Sequence, residues 1–112
     1  MKKINILKEN TDFDRIIKKN NSFKTKYYYI YVEKNEEQKI HKFGISVSKK
    51  IGNAVTRNLY KRRIKTIIDK NIYKNNFNCI IILRKSVLES NFQDLEKELN
   101  YSLKKLNLLK EL

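Results

Sequence analysis

The sequence predicts an α+β fold, a two-layer sandwich in which helices pack against a small sheet. Three observations predict it. A tyrosine-rich segment and an alternating polar and apolar segment are typical of strands, and stretches with helical periodicity flank a continuous apolar strand. At 112 residues the chain can bury one modest core, so we assign residues 1–112 to a single domain.

The N-terminal part predicts a short helix. Thr11 and Asp14 have the three-residue spacing of a capping box. The residues after Thr11 place three apolar side chains on one helical face, namely Phe13, Ile16 and Ile17. We therefore expect a helix that begins at Thr11.

Two strand-forming segments follow this helix. SFKTKYYYIYVEK is rich in strand formers, and KNEEQ after it is typical of a turn. KIHKFGISVSKK then alternates, with Phe43, Ile45 and Val47 on one face. We predict that the two strands pair as an antiparallel hairpin, with a short extra strand near Ser22–Lys24.

The second half predicts helix, strand, helix. Gly52 and Asn53 begin a basic helix that runs to about Tyr73, and FNCIIILRK has the pattern of a central strand buried on both faces. Ser90 with Gln93, or Asn91 with Asp94, caps a last helix. Its apolar residues recur at helical spacing, namely Phe92, Leu95, Leu99, Leu103 and Leu106. The predicted order is α-β-β-(β)-α-β-α.

The charge of the chain is strongly positive and unevenly distributed. The net charge is +14, and residues 38–68 hold nine Lys or Arg and no Asp or Glu. A folded domain with this net charge repels itself, and this repulsion favours an anionic partner. No apolar run approaches the ~18 residues of a membrane span, and the N-terminus lacks the apolar core of a secretory signal. We therefore expect a cytoplasmic protein that binds nucleic acid and no membrane.

The basic helix separates its cations from its apolar residues. At about 100° per residue, a polar face gathers five side chains, namely Arg57, Asn58, Lys61, Arg62 and Lys65. The opposite arc holds Tyr60 and three isoleucines, and Arg63 falls at the border. Like charges at i,i+4 destabilise a helix, so this face predicts a polyanion site. The helix start, after SVSKKIG, is also a candidate phosphate site.

The tyrosine segment is a second candidate site. Strand alternation puts Tyr27, Tyr29 and Tyr31 on one face, and Tyr28, Ile30 and Val32 face the core. Three tyrosines beside a basic helix are able to stack unpaired bases. Tyrosine is also a common strand former that covers sheets, so the pattern leaves both interpretations open.

Residues typical of an active site are scarce. His41 is the single histidine and Cys79, in an apolar run, the single cysteine. The sequence shows no paired carboxylates, metal-ligand cluster, glycine-rich phosphate loop or nucleophile motif. We expect no catalytic residue, no metal held by the protein alone and no small-molecule substrate. Any chemistry would depend on reacting groups from a partner.

The run FGISVSKKIGNAVTRNLYKRRIK resembles the protein subunit of bacterial ribonuclease P. The resemblance extends to the early helix, the aromatic strand, the buried strand and the capped last helix. It implies an α+β sandwich with a left-handed β-α-β crossover, an exception to the usual hand. It also implies a protein that does not cut RNA. Its partner would be a catalytic RNA that uses Mg²⁺ to remove the 5′ leader of precursor tRNA.

The same resemblance implies two groups of site residues. The RNA-subunit group comprises Lys50, Arg57, Asn58, Lys61, Arg62 and Lys65. The leader group comprises Phe13, Ile17, Tyr31, Ser46, Ser48 and Lys49.

The chain departs from the family pattern in the basic helix. Leu59 and Lys65 stand where arginine is common, and Arg63 stands where an apolar residue is usual. Lysine lacks the bidentate fork of arginine, so the phosphate contact at residue 65 differs from the pattern.

A ribosomal or other structural RNA-binding protein without a nuclease role is the alternative. A helix-turn-helix DNA-binding protein is the third possibility, disfavoured by the strand content.

Overall fold

The computed structural model describes residues 1–8 and 10–111. Its main elements follow the predicted order, including the short extra strand. They are α1 (Asn10–Lys19), β1 (Phe23–Lys24), β2 (Tyr28–Lys34), β3 (His41–Ser46), α2 (Ala54–Asp69), β4 (Phe77–Leu83) and α3 (Phe92–Lys105). The α+β prediction is confirmed.

The four strands form one mixed sheet in the order β1-β2-β4-β3. Strand β4 pairs antiparallel with β2 and parallel with β3, so β2 and β3 are not neighbours. The predicted hairpin is therefore wrong. The physical reason lies in β4, whose residues are buried on both faces except for the half-buried Ile82. Such a strand is most stable between two neighbours with both its faces covered.

Helix α2 connects the parallel strands β3 and β4 and is shorter than predicted. It ends at Asp69, four residues before Tyr73. Tyr73 is buried, and its hydroxyl donates to the carbonyl of Ile68 at 2.7 Å. The chain therefore leaves the helix early enough for this ring to fold back against the last turn.

The starts of α2 and α3 follow local sequence signals. The Asn53 side chain accepts from the Thr56 amide at 3.0 Å, and Asn91 and Asp94 form a capping box. Ser90, the alternative cap, instead donates to the carbonyl of Val87 at 2.6 Å. These caps occupy helix amides that would otherwise lack a partner.

The start of α1 differs from the prediction. The helix already includes Asn10, so Thr11 and Asp14 lie inside it and are not its capping box. The earlier start puts Asp12 in the first turn, where a carboxylate is favoured by the helix dipole. Asp12 also lies three residues before Arg15 and forms an ion pair with it at 2.9 Å.

The two faces of the sheet pack against different helices. On one face, Tyr28, Ile81 and Leu83 join the main core with α2 and α3, and the Tyr28 hydroxyl donates to the carbonyl of Leu95 at 2.9 Å. On the other face, Ile16 of α1 packs with Ile80 in a smaller cluster. Only part of this second face is covered, which leaves room for a ligand beside α1.

Candidate nucleic-acid interface

The predicted basic face of α2 forms as expected. Tyr60, Ile64, Ile67 and Ile68 are buried against the core. On the opposite side Asn58 and Arg62 are exposed, and Arg57, Lys61 and Lys65 are half-buried. Among residues 1–8 and 10–111, none of the four cations makes an ion pair. The charge on this face is therefore uncompensated within the described chain.

Two details of the α2 arginines were not evident from the sequence. The Nε atom of Arg57 is buried and has no hydrogen-bond partner within the described residues. Arg63, predicted at the border, holds its guanidinium carbon 5.2 Å from the centre of the Tyr60 ring. Arg63 is thus anchored by a cation–π contact at the edge of the basic face.

A cleft of about 370 Å³ joins the two predicted groups of site residues. Phe13 and Ser46 of the leader group line one part of it, and Lys61 and Lys65 of the RNA-subunit group line another. The cleft lies along the edge of β3, beside the N-terminal segment. Apolar and cationic groups therefore meet within one concave surface.

The N-terminal segment is a part of this site that sequence reasoning missed. Leu7 donates its amide to the carbonyl of Phe43 at 2.8 Å, and Ile6 forms an isolated parallel bridge with Phe43. Ile6, Leu7 and Lys8 consequently line the cleft. The apolar residues of INIL were the available signal, but four residues do not indicate which strand edge they will join.

Phe13 lies directly on the backbone of β3. A Cβ atom added to Gly44 would lie within 3.1 Å of three atoms of the Phe13 ring. Phe13 also packs in a small apolar cluster with Ile17, Tyr31 and Ile82. The absence of a side chain at residue 44 thus allows this ring to reach the sheet at the border of the cleft.

The remaining leader-group residues lie around the cleft rather than in its lining. Ile17 and Tyr31 are half-buried and pack against the same buried cluster as Phe13, namely Leu7, Ile16 and Ile80. Ser48 and Lys49, with Lys50 of the RNA-subunit group, are exposed in the turn between β3 and α2. The cleft thus brings Phe13 and Ser46 together with Lys61 and Lys65, and the other members of the two groups lie outside its lining.

The predicted row of three tyrosines is reduced to two. Tyr27 precedes β2 and is 5 % exposed in the main core, so its placement beside Tyr29 and Tyr31 is wrong. The alternation does not hold at residue 27 because the chain bends before β2 begins at Tyr28. Tyr29 and Tyr31 remain half-buried on the face that carries α1.

Two cations beside Tyr29 were also missed. Lys24 Nζ lies 5.9 Å and Arg84 Cζ 5.1 Å from the centre of its ring. Lys24 is the register partner of Tyr29 across β1 and β2. The strand pairing, which the sequence did not reveal, was the signal needed to place these charges together.

The geometry around the titratable groups offers little for acid–base chemistry. His41 is half-buried beside the rings of Tyr73 and Phe77, at 5.2 and 5.6 Å, and this burial lowers its pKa. Burial also raises the pKa of the Cys79 thiol. In residues 1–8 and 10–111, no group of three His, Cys, Asp or Glu side chains is arranged to bind a metal ion. No helix in that part of the chain is both long and apolar enough to span a bilayer.

The ribonuclease P family model matches residues 1–107. The chain belongs to the ribonuclease P protein family. It is 41 % identical to the ribonuclease P protein component of Mycoplasma capricolum, covering 100 % of this chain and 99 % of that one. The component from Bacillus velezensis is 37 % identical, covering 99 % and 97 %. Family membership excludes the ribosomal and DNA-binding alternatives and makes this chain a component of an endoribonuclease complex.

Solved structures of ribonuclease P proteins share the fold. The Staphylococcus aureus protein superposes with a TM-score of 0.84 at 32 % identity, covering 95 % of this chain and 98 % of that chain. The Thermotoga maritima protein gives 0.78 at 28 % identity, covering 88 % and 94 %. Because superposition preserves handedness, the β3-α2-β4 crossover has the hand of its relatives in the ribonuclease P family.

Proposed function

We propose that this chain is the ribonuclease P subunit that binds both the catalytic RNA and the 5′ leader of precursor tRNA in the cytoplasm. By holding both RNAs it assists the Mg²⁺-dependent endonucleolytic removal of the leader, which produces the mature 5′ end. One observation carries the proposal. The cleft along β3 is lined by aromatic and hydroxyl groups of the leader group and by cations of the RNA-subunit group.

The basic face of α2 is suited to a crowded RNA surface. Arg57, Lys61, Arg62 and Lys65 carry charge that no carboxylate compensates within the described residues. Each cation that neutralises a phosphate releases counterions from the RNA, which provides affinity without sequence specificity. Asn58 adds a donor and an acceptor without further charge, and Lys50 extends the basic surface into the preceding turn.

The face beside α1 is suited to a single strand. Phe13, Ile17 and Tyr31 form a half-buried apolar surface against which unpaired bases are able to stack. Ser46 lines the same cleft as Phe13, and Ser48 and Lys49 follow in the exposed turn after β3, where their hydroxyl and ammonium groups are available to the RNA backbone. This combination of apolar surface with nearby polar and cationic groups is typical of sites that hold single-stranded RNA.

The described residues of the basic face are poorly suited to holding Mg²⁺ by themselves. Mg²⁺ prefers carboxylate oxygens and water, whereas the basic face presents four cations and a single amide. No described group of three acidic, His or Cys side chains is positioned to hold an ion. We therefore assign Mg²⁺ to the catalytic RNA and assign this chain the task of binding and orienting the RNAs.

The leader site is tested with Tyr31→Ala in the enzyme reconstituted from protein and catalytic RNA. A stacked base is worth about 1–3 kcal/mol, so the affinity for precursor tRNA should fall roughly 5- to 150-fold. Mature tRNA lacks a leader, and its affinity should hardly change. Filter binding measures both affinities, and a thermal melt confirms that the variant is folded.

Tyr101→Ala is the matched control. Tyr101 is 60 % exposed and belongs to α3, the helix that packs against the opposite face of the sheet. This variant should bind both tRNAs as the unmodified chain does. If Tyr31→Ala weakens precursor and mature tRNA equally, Tyr31 does not contact the leader and the proposed site is wrong.

A further inference from the structure

Arg15 of α1 is bound to the sheet through a fixed carboxylate. Its Nε and Nη2 atoms donate to the two carboxylate oxygens of Glu33 at 3.2 and 2.9 Å, and Nη1 donates to Asp12 at 2.9 Å. Two parallel hydrogen bonds between a guanidinium and a carboxylate fix orientation as well as distance. The contact therefore constrains how α1 is turned toward β2.

Glu33 is itself held in place from the other side. Asn78 of β4, the register partner of Glu33, donates to it at 2.9 Å and is 2 % exposed. Gln38 in turn donates to Asn78 at 3.0 Å. The hydrogen bonds from Arg15 lower the pKa of Glu33, so the carboxylate is charged at neutral pH. The sheet consequently presents Arg15 with a carboxylate whose direction is already set.

Within the part of the chain that the structure describes, helix α1 has few other attachments that fix its rotation. It contains ten residues, and Ile16 is its single fully buried side chain. A helix of this length is marginal by itself. At about 100° per residue, Arg15 projects on one flank of Ile16, and Phe13 and Ile17 project on the other. Arg15 on Glu33 and Phe13 on Gly44 thus hold opposite sides of the same short helix.

We infer that the Arg15–Glu33 contact positions the leader site by fixing the rotation of α1, and with it the placement of Phe13 and Ile17 relative to Tyr31. Without this contact the helix rolls about Ile16, and the apolar surface no longer has one shape. Arg15 and Glu33 act through other residues and are positioning residues rather than leader contacts. This inference rests on the proposed leader site.

Two variants with opposite effects on charge test the inference in the reconstituted enzyme. Arg15→Gln removes a positive charge and Glu33→Gln removes a negative one, so nonspecific RNA affinity should fall in the first and rise in the second. Both should nevertheless lower the ratio of precursor to mature tRNA affinity. We expect a loss of roughly three- to tenfold, since reoriented rings lose part of the stacking free energy. The double variant should lose no more than the larger single loss.

Two further variants separate orientation from charge. Arg15→Lys keeps the charge but lacks the planar fork of the guanidinium group. Its ratio of precursor to mature tRNA affinity should therefore fall as it does in Arg15→Gln. Lys18→Gln removes a charge from an exposed position of the same helix, so its ratio should stay unchanged. If Arg15→Lys keeps the full ratio, or if the two glutamine variants shift it in opposite directions, the effect is one of charge and the inference is wrong.

Tyr31→Ala, measured in parallel, separates failure of this inference from failure of the proposed function. If Tyr31→Ala lowers the ratio and the Arg15 and Glu33 variants do not, only the positioning role is overturned. If Tyr31→Ala leaves the ratio unchanged, the leader site is wrong and the positioning role falls with it. Thermal melts confirm that each variant is folded, and all assays are run below the lowest melting temperature. A contact with a purely structural role would lower the melting temperature without changing the precursor-to-mature affinity ratio.

Discussion

Substituting Gly44 tests how closely α1 approaches the sheet. The Cβ atom of Gly44→Ala would lie 2.8 Å from Phe13 Cε1 and 3.1 Å from Cε2, whereas 3.4–4 Å is ordinary contact. Gly44 has no positive φ angle, so alanine introduces no backbone strain and the effect comes from the overlap alone. Phe13 packs against the buried cluster of Leu7, Ile16 and Ile80, so its ring moves only by disturbing that packing. Overpacking of this kind typically costs about 1–3 kcal/mol.

A double-mutant cycle isolates this overlap. Urea unfolding would give the free energy of unfolding for the unmodified chain, Gly44→Ala, Phe13→Ala and the double variant. Removing the ring makes room for the new methyl group, so Gly44→Ala should be nearly neutral when residue 13 is alanine. We expect a coupling free energy of about 1–3 kcal/mol between the two positions. The precursor-to-mature affinity ratio should also fall in Gly44→Ala, because Phe13 is displaced from the cleft.

The cycle has a clear contrary result. If Gly44→Ala lowers the free energy of unfolding equally with and without the Phe13 ring, the two residues are not coupled. The ring would then not lie on the Gly44 backbone, and the described shape of the cleft would be wrong. A matched substitution, Ser46→Ala on the same face of β3, should show no coupling to Phe13→Ala of this size.

Two further predictions concern charge and burial. Lys61→Ala should weaken binding of the catalytic RNA and reduce the slope of log K against log salt concentration by roughly 0.7–0.9. The control is Lys74→Ala, which should leave that slope unchanged, because the Lys74 ammonium group donates to Asn107. Equal effects of the two substitutions would indicate diffuse attraction rather than a defined face. The thiol of Cys79 is fully buried with a raised pKa, so it should not react with a disulfide reagent in the native protein and should react in guanidinium. The reaction is measured by the absorbance of the released thiolate. A rapid reaction of the native protein would contradict the burial of Cys79.

The sequence alone determined the features that depend on neighbouring residues. The caps at Asn53 and Asn91 follow from side chains that reach amides three residues away. The separation of cations from apolar residues along α2 follows from helical periodicity, and the burial of β4 follows from its continuous apolar run. The family motif carried the functional prediction, because its residues lie in one short segment from β3 to α2.

Tertiary structure decided which segments meet. The pairing of β4 between β2 and β3, the attachment of residues 6–8 to β3 and the cations beside Tyr29 all join residues far apart in the chain. Strand pairing is a competition among all available edges, and two strands that alternate correctly do not reveal whether a third will insert between them. The same holds for Arg15 and Glu33, which are unremarkable charges in the sequence. Their contact exists because the sheet brings Asn78 beside Glu33 and α1 packs across both strands.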